Sequence, residues 1–203
     1  MDVRVEDLVI ERTLSPEHRQ RAAEIIYEAF SRKLEPLLGT REHSLALVAT
    51  SLQLDRVLGA LLRGELVGLA GLHYKGRQPL VYRWADVSRE LGWLAGFPRL
   101  AVLRFIASSP RPSELIVEHL AVAAAQRGRG VGTRLLEAAF DLARANDLSA
   151  VRLGVVDTNP RARRLYERLG FQPTGTLRLP FLFRVAGFSA LTDMVKRLEG
   201  GSS

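Results

Sequence analysis

The sequence predicts an α/β protein with a mixed sheet, and three observations carry that prediction. An apolar strand over residues 115–122, a glycine-rich turn, an amphipathic helix and an apolar strand over residues 151–156 follow one another. That is the order of a crossover whose strands run parallel. Residues 57–62 and 66–74, joined by Arg63-Gly64-Glu65, have the composition of an antiparallel hairpin. With 203 residues, 47% hydrophobic and 25% charged, the chain can bury one full core. We expect a single domain over residues 1–199, followed by a flexible Gly-Gly-Ser-Ser tail at 200–203.

The elements can be justified in order. Residues 3–11 alternate as a first strand, and Ser15, Pro16 and Glu17 read as an N-cap with proline at the first helical position, opening a helix to about Phe30. Residues 40–54 carry Leu45, Leu47, Val48 and Leu52 at helical spacing. After the hairpin, residues 84–106 predict one broken helix or two short ones, kinked at Gly96 and Pro98. The helix beyond the glycine turn sets Leu135, Leu136, Ala139, Leu142 and Ala143 in one stripe, with Arg134, Glu137, Asp141 and Arg144 opposite. Asp157-Thr158-Asn159-Pro160 offers a polar cap and an N1 proline for a helix over residues 160–169, which gathers Ala162, Leu165, Tyr166 and Leu169 on one side. Gly170 takes the left-handed position after it, and residues 187–198 supply a last strand.

Composition excludes several functions. The net charge of +7 suits a polyanionic ligand such as a coenzyme, nucleotide or nucleic acid, without choosing among them. There is no cysteine, which removes disulfides, thiolate metal sites and a cysteine acyl-enzyme. The first residues are charged and lack an apolar signal core, and the most apolar stretch, residues 84–108, is interrupted by charges, glycine and proline. We therefore expect a cytoplasmic protein that neither spans nor binds a membrane. No basic and aromatic stacking platform points to nucleic acid, and no metal is expected.

The stretch Arg127-Gly128-Arg129-Gly130-Val131-Gly132-Thr133 joins a strand end to a helix start. The first N–H groups of a helix lack internal partners and carry the positive end of its dipole, so an anion is favoured there. A P-loop requires Gly-Lys-Ser/Thr, which is missing, and the dinucleotide fingerprint requires a third glycine where Thr133 stands. A tight turn with solvated arginines is the plainer alternative.

Arg-x-x-Gly-x-Gly at residues 127–132, preceded by VEHLAV and followed by DTNPRARRLYERLGF, resembles the GCN5-related N-acetyltransferase (GNAT) superfamily. The likeness covers roughly residues 115–171. It implies a mostly antiparallel mixed sheet with a splayed parallel strand pair and helices on both faces. It also implies acetyl-CoA as co-substrate, its acetyl group passing to a primary amine of a small molecule, amino acid, peptide or protein. By this resemblance the N–H groups of Gly128, Arg129, Gly130, Val131, Gly132 and Thr133, beside Arg127, hold the pyrophosphate. Leu120, Ala121 and Val122 pair with the pantetheine arm, and Asn159 lies next to it.

Acetyl transfer from a thioester needs a base for the amine, a donor for the developing oxyanion and an acid for the departing sulfur. Tyr166 is the candidate acid, although its place on an apolar stripe also fits core packing. The Val122 amide is the candidate oxyanion donor. Family members that carry a glutamate on the strand after the first crossover helix would have it at Gly154, where this chain has none. Glu118 is the substitute; it could instead orient a cationic acceptor or pair with an arginine, and a water chain could be the base. His119, one residue on, faces the other way in a regular strand, although a bulge would re-aim either residue. We expect the acceptor against residues 30–41, 82–108 and 177–188, which hold Trp84, Trp93, Phe97, Phe181, Phe183 and Phe188. A lid or a homodimer surface explains those aromatics equally well. The missing glutamate also leaves room for a catalytically silent acyl-CoA sensor of the same fold.

Overall fold

A computed structural model describes residues 7–105, 111–178 and 188–198. The elements are β1 (Leu8–Glu11), α1 (Arg19–Leu38), α2 (Arg41–Ser51), β2 (Val57–Leu62), β3 (Glu65–His73), α3 (Trp84–Leu91) and α4 (Trp93–Phe105). Then come β4 (Glu114–Val122), α5 (Val131–Arg144), β5 (Ala150–Val156), α6 (Pro160–Arg168), β6 (Gln172–Arg178) and β7 (Ala190–Arg197). The strands form one sheet in the order β1-β2-β3-β4-β5-β7-β6. Among the described strands only β4 and β5 run parallel. No described helix is long and apolar enough to cross a membrane.

Helices cover both faces because alternate strand residues supply two separate apolar surfaces. On one face Leu115, Val117, Val151 and Leu153 bury Leu135, Leu136 and Phe140 of α5. On the other, Val57 and Leu69 bury Ile25 and Ile26 of α1 and Leu47 and Val48 of α2.

The structure changes three sequence expectations. Ser15 opens only a short 3-10 turn, Pro16–His18, and makes no side-chain cap; α1 starts at Arg19. That helix runs past Phe30 through Pro36 to Leu38, because Leu34 and Leu38 extend its buried stripe and a proline in the last turn removes only one helical hydrogen bond. The break in the 84–106 region falls at Gly92, whose φ of 73° ends α3. Gly96 and Pro98 lie inside α4, and a Cβ on Gly96 would meet Val87 Cγ1 at 3.2 Å, so that glycine serves close packing of α3 on α4 and not a kink. Residues 3–6 of the expected first strand and the 200–203 tail lie outside the described residues.

Candidate active site

β4 and β5 pair from Glu114–Ala150 to Val117–Leu153 and then part. β5 stays on β7 as far as the Val156–Leu191 pair. On β4, His119 faces Gly71 and Val117 faces Leu72, so Glu118 has no residue opposite it. This is a β-bulge, which bends the strand and re-aims its side chains. A cleft of about 690 Å³ occupies the parting, within the range of small-molecule sites. Glu118 and His119 both line it, which corrects the expectation from a regular strand that they would diverge.

Beyond the bulge the backbone alternates again. Ala123 donates its N–H to Val67 of β3 at 2.9 Å, so Ala121 also faces β3, while Leu120 and Val122 turn their N–H and C=O groups toward the parting. Of the three residues expected along the pantetheine arm, Leu120 and Val122 therefore turn backbone groups toward the parting, and of the three Leu120 alone lines the cleft. The Val122 carbonyl accepts Arg127 Nε at 3.0 Å. That bond spends the Arg127 side chain on tying the turn to the strand.

The turn leads into α5 with Gly130 at the N-cap, φ 81°, a left-handed conformation that glycine adopts without a Cβ penalty. No side chain caps this helix and its first turn has no acidic residue. Val131 is buried in the core and fixes the helix start, whereas residues 127–130 are exposed. A 14-residue helix thus presents its first N–H groups, those of Val131, Gly132 and Thr133, with no capping side chain. A hypothetical Cβ on Gly132 would lie 3.4 Å from Leu165 Cδ2 and 4.0 Å from Leu120 Cδ2, which puts the helix mouth against both α6 and β4.

Titratable side chains meet inside the cleft. Glu118 Oε1 lies 2.9 Å from Nδ1 of His73, the last residue of β3, which is 3% exposed. Tyr82 also lines the cleft; burial, and then the Glu118 carboxylate, raise its phenol well above the ordinary range. Tyr166 comes to the cleft from α6, almost fully buried, with its ring 5.9 Å from that of Phe171. Burial pushes its hydroxyl up to about 12. Asn159 lines the cleft as well and caps α6, its Oδ1 accepting the Ala162 N–H at 3.1 Å. Where the strands are still paired, Glu114 accepts two hydrogen bonds from Arg152, at 3.0 and 2.9 Å. Those bonds hold the Glu114 carboxyl below the ordinary range.

Gly154 has a physical counterpart on the neighbouring strand. A Cβ there would meet Leu191 Cδ1 at 3.1 Å, so a side chain at 154 would require Leu191 to shift by a few tenths of an ångström. The carboxylate at the parting comes from β4. Its partner His73 escaped sequence reasoning because the contact depends on the bulge, which no residue spacing announces. Phe30, Leu34 and Leu37 of α1, together with Leu80 and Tyr82, add apolar lining to that of the β4 and β5 side chains. Trp84, Trp93 and Phe97 are not part of it, and the latter two are largely exposed on α4. Phe181 and Phe183 lie outside the described residues.

The profile of the acetyltransferase (GNAT) family matches residues 20–171. The chain belongs to this family. An N-acetyltransferase of Streptomyces griseus is 32% identical to it over 138 residues, covering 55% of this chain and 71% of that one. The N-alpha-acetyltransferase RimI of Mycobacterium tuberculosis is also 32% identical over 138 residues, covering 68% of this chain and 64% of its own length. The Salmonella typhimurium protein YncA, solved with its cofactor acetyl-CoA, shares the fold with a TM-score of 0.62 at 17% identity, over 97% of each chain. As a GNAT member the chain is an acetyl-CoA-dependent acetyltransferase.

Proposed function

We propose that the chain passes the acetyl group of acetyl-CoA directly to a primary amine, with no acyl-enzyme intermediate. One observation carries this reading: β4 and β5 part around a cleft that holds the Glu118 carboxylate and the Tyr166 phenol, and the uncapped mouth of α5 stands against Leu120 of its lining. The N–H groups at residues 128–133 suit the coenzyme pyrophosphate. Leu120 and Val122 suit the pantetheine arm, taken up as a strand would be, with the Asn159 amide beside it. Arg127 holds this loop in place.

In the reaction Glu118 takes the proton from the acceptor ammonium, and the freed nitrogen lone pair attacks the thioester carbonyl carbon. The Val122 N–H receives the negative oxygen. As that oxygen re-forms its double bond, the C–S bond breaks, the electron pair leaves on sulfur, and the nitrogen gives up its second proton, which passes through solvent to the thiolate. A phenol near 12 stays neutral in the physiological range and is a weaker acid than a thiol of about 8.5. Tyr166 therefore acts chiefly as a hydrogen-bond donor to the developing thiolate, with solvent completing the proton balance. The chain has no cysteine to carry an acyl group, which favours direct transfer.

Peptide N-termini head the acceptor classes to test, because the mycobacterial relative is an N-alpha-acetyltransferase. Small amines and free amino acids follow. The test is release of CoA thiol from acetyl-CoA across such a panel. At least one amine should drive release, and Tyr166→Phe should slow turnover at least about tenfold while changing acetyl-CoA affinity far less. Tight coenzyme binding with no thiol release from any amine would identify an acyl-CoA sensor instead.

A further inference from the structure

Glu118 does not stand alone in the cleft. His73 pairs with Ile116 across β3 and β4, so its ring lies on the face that Ile116 turns to the cleft, yet His73 itself is buried behind the lining. An ionised carboxylate can only accept, so the 2.9 Å contact requires a hydrogen on His73 Nδ1, donated to Glu118 Oε1. A bulge residue has no cross-strand neighbour to fix its side chain, and Glu118 is the bulge residue of β4. The histidine supplies the missing constraint from the adjacent strand.

We infer that His73 is a positioning residue: it holds Glu118 Oε1 so that Oε2 is the oxygen presented to the acceptor amine. The inference rests on the proposed role of Glu118 as base. A bond that merely tied β3 to β4 would bring stability but no dependence of turnover on the donor at position 73. A positioned base behaves differently, because about 1 Å of misplacement can cost on the order of 100-fold in rate.

Four variants and one spectrum test it. Using the panel amine with the highest turnover, His73→Leu should lower kcat about 10- to 100-fold and leave the KM for acetyl-CoA within about twofold. His73→Asn, whose side-chain N–H takes the place of Nδ1–H, should recover most of that loss. With Glu118→Gln already present, His73→Leu should cause little further loss, since one residue acts through the other. Independently of any acceptor, nitrogen NMR of the imidazoles, assigned by the signal lost in His73→Asn, should show His73 protonated at Nδ1, with that signal displaced in Glu118→Gln. A bare Nδ1, full kcat in His73→Leu, or equal losses in the Leu and Asn variants would overturn the inference. Glu118→Gln at full activity would overturn the assignment of the base itself, so the two failures are told apart.

Discussion

β4 and β5 form two different structures along one strand pair. In the lower half, backbone pairing is reinforced by Glu114 and Arg152, which bond to each other across the parallel ladder at that end of the cleft. In the upper half, Gly154 has no side chain to offer, and Glu118 turns away from β5 to His73 on the opposite neighbour. The paired half has its carboxylate tied to β5, and the parted half has its carboxylate tied to β3. A bulge of one residue separates the two outcomes.

The largest break of the open half is expected at its far end. Gly130→Val places a β-branched residue at φ 81°, which costs on the order of 1–2 kcal/mol and tilts the first N–H groups of α5 away from their common focus. Acetyl-CoA affinity, measured by calorimetry, should fall at least about 100-fold, or roughly 2.7 kcal/mol, while circular dichroism still reports a folded protein. Unchanged affinity would remove the helix mouth from the coenzyme site.

The closed half breaks in stability and leaves coenzyme binding alone. Glu114→Leu strips Arg152 of its bidentate partner. Removing one member of a fully buried pair costs about 3–5 kcal/mol, and Arg152 keeps some access to water, so we expect about 2 kcal/mol in urea unfolding. Adding Arg152→Met should restore most of it, since the stranded charge is gone. Acetyl-CoA affinity should stay within about threefold in both variants.

The two halves were unequally legible in the sequence. The crossover, the hairpin, the α5 stripe and the glycine mouth are local patterns, because each is set by periodicity or by a residue's backbone freedom within a few positions. The bulge at Glu118 is a register mismatch between β3 and β4, so neither strand alone reveals it, and His73 stayed hidden with it. The same holds for Leu191 over Gly154, a diagonal contact between residues far apart in the sequence. The expected kink at Gly96 failed for a related reason, since that glycine answers to Val87 on another helix.

The contrast between the halves also appears in their acids. Hydrogen bonding from Arg152, the first cause, lowers Glu114 in the fold, so its contribution to stability is complete above the ordinary carboxylate range and is lost as pH falls through the depressed value. Burial raises Tyr166 to about 12, so its contribution is complete below the ordinary tyrosine value of 10 and is lost as pH rises from there to about 12. Thermal melts across pH should therefore show a weaker acid limb in Glu114→Leu and a weaker alkaline limb in Tyr166→Phe. Interchanged limbs would contradict the environments assigned to the two groups.

The smallest effect is expected where the open half meets α6. Asn159 has two separable duties, because its Oδ1 caps the helix through the Ala162 N–H while its Nδ2 remains available as a donor to the cleft. Asn159→Ala loses both, and the cap alone should cost about 1 kcal/mol of stability. Asn159→Asp keeps the oxygen, so stability should return, but it replaces the donor with a second acceptor bearing charge. Acetyl-CoA affinity should then remain about three- to tenfold below that of the parent, a loss of roughly 1 kcal/mol for one missing hydrogen bond. If affinity recovers together with stability in the aspartate variant, Asn159 serves only its own helix, and contact with the pantetheine arm falls to Leu120 and Val122.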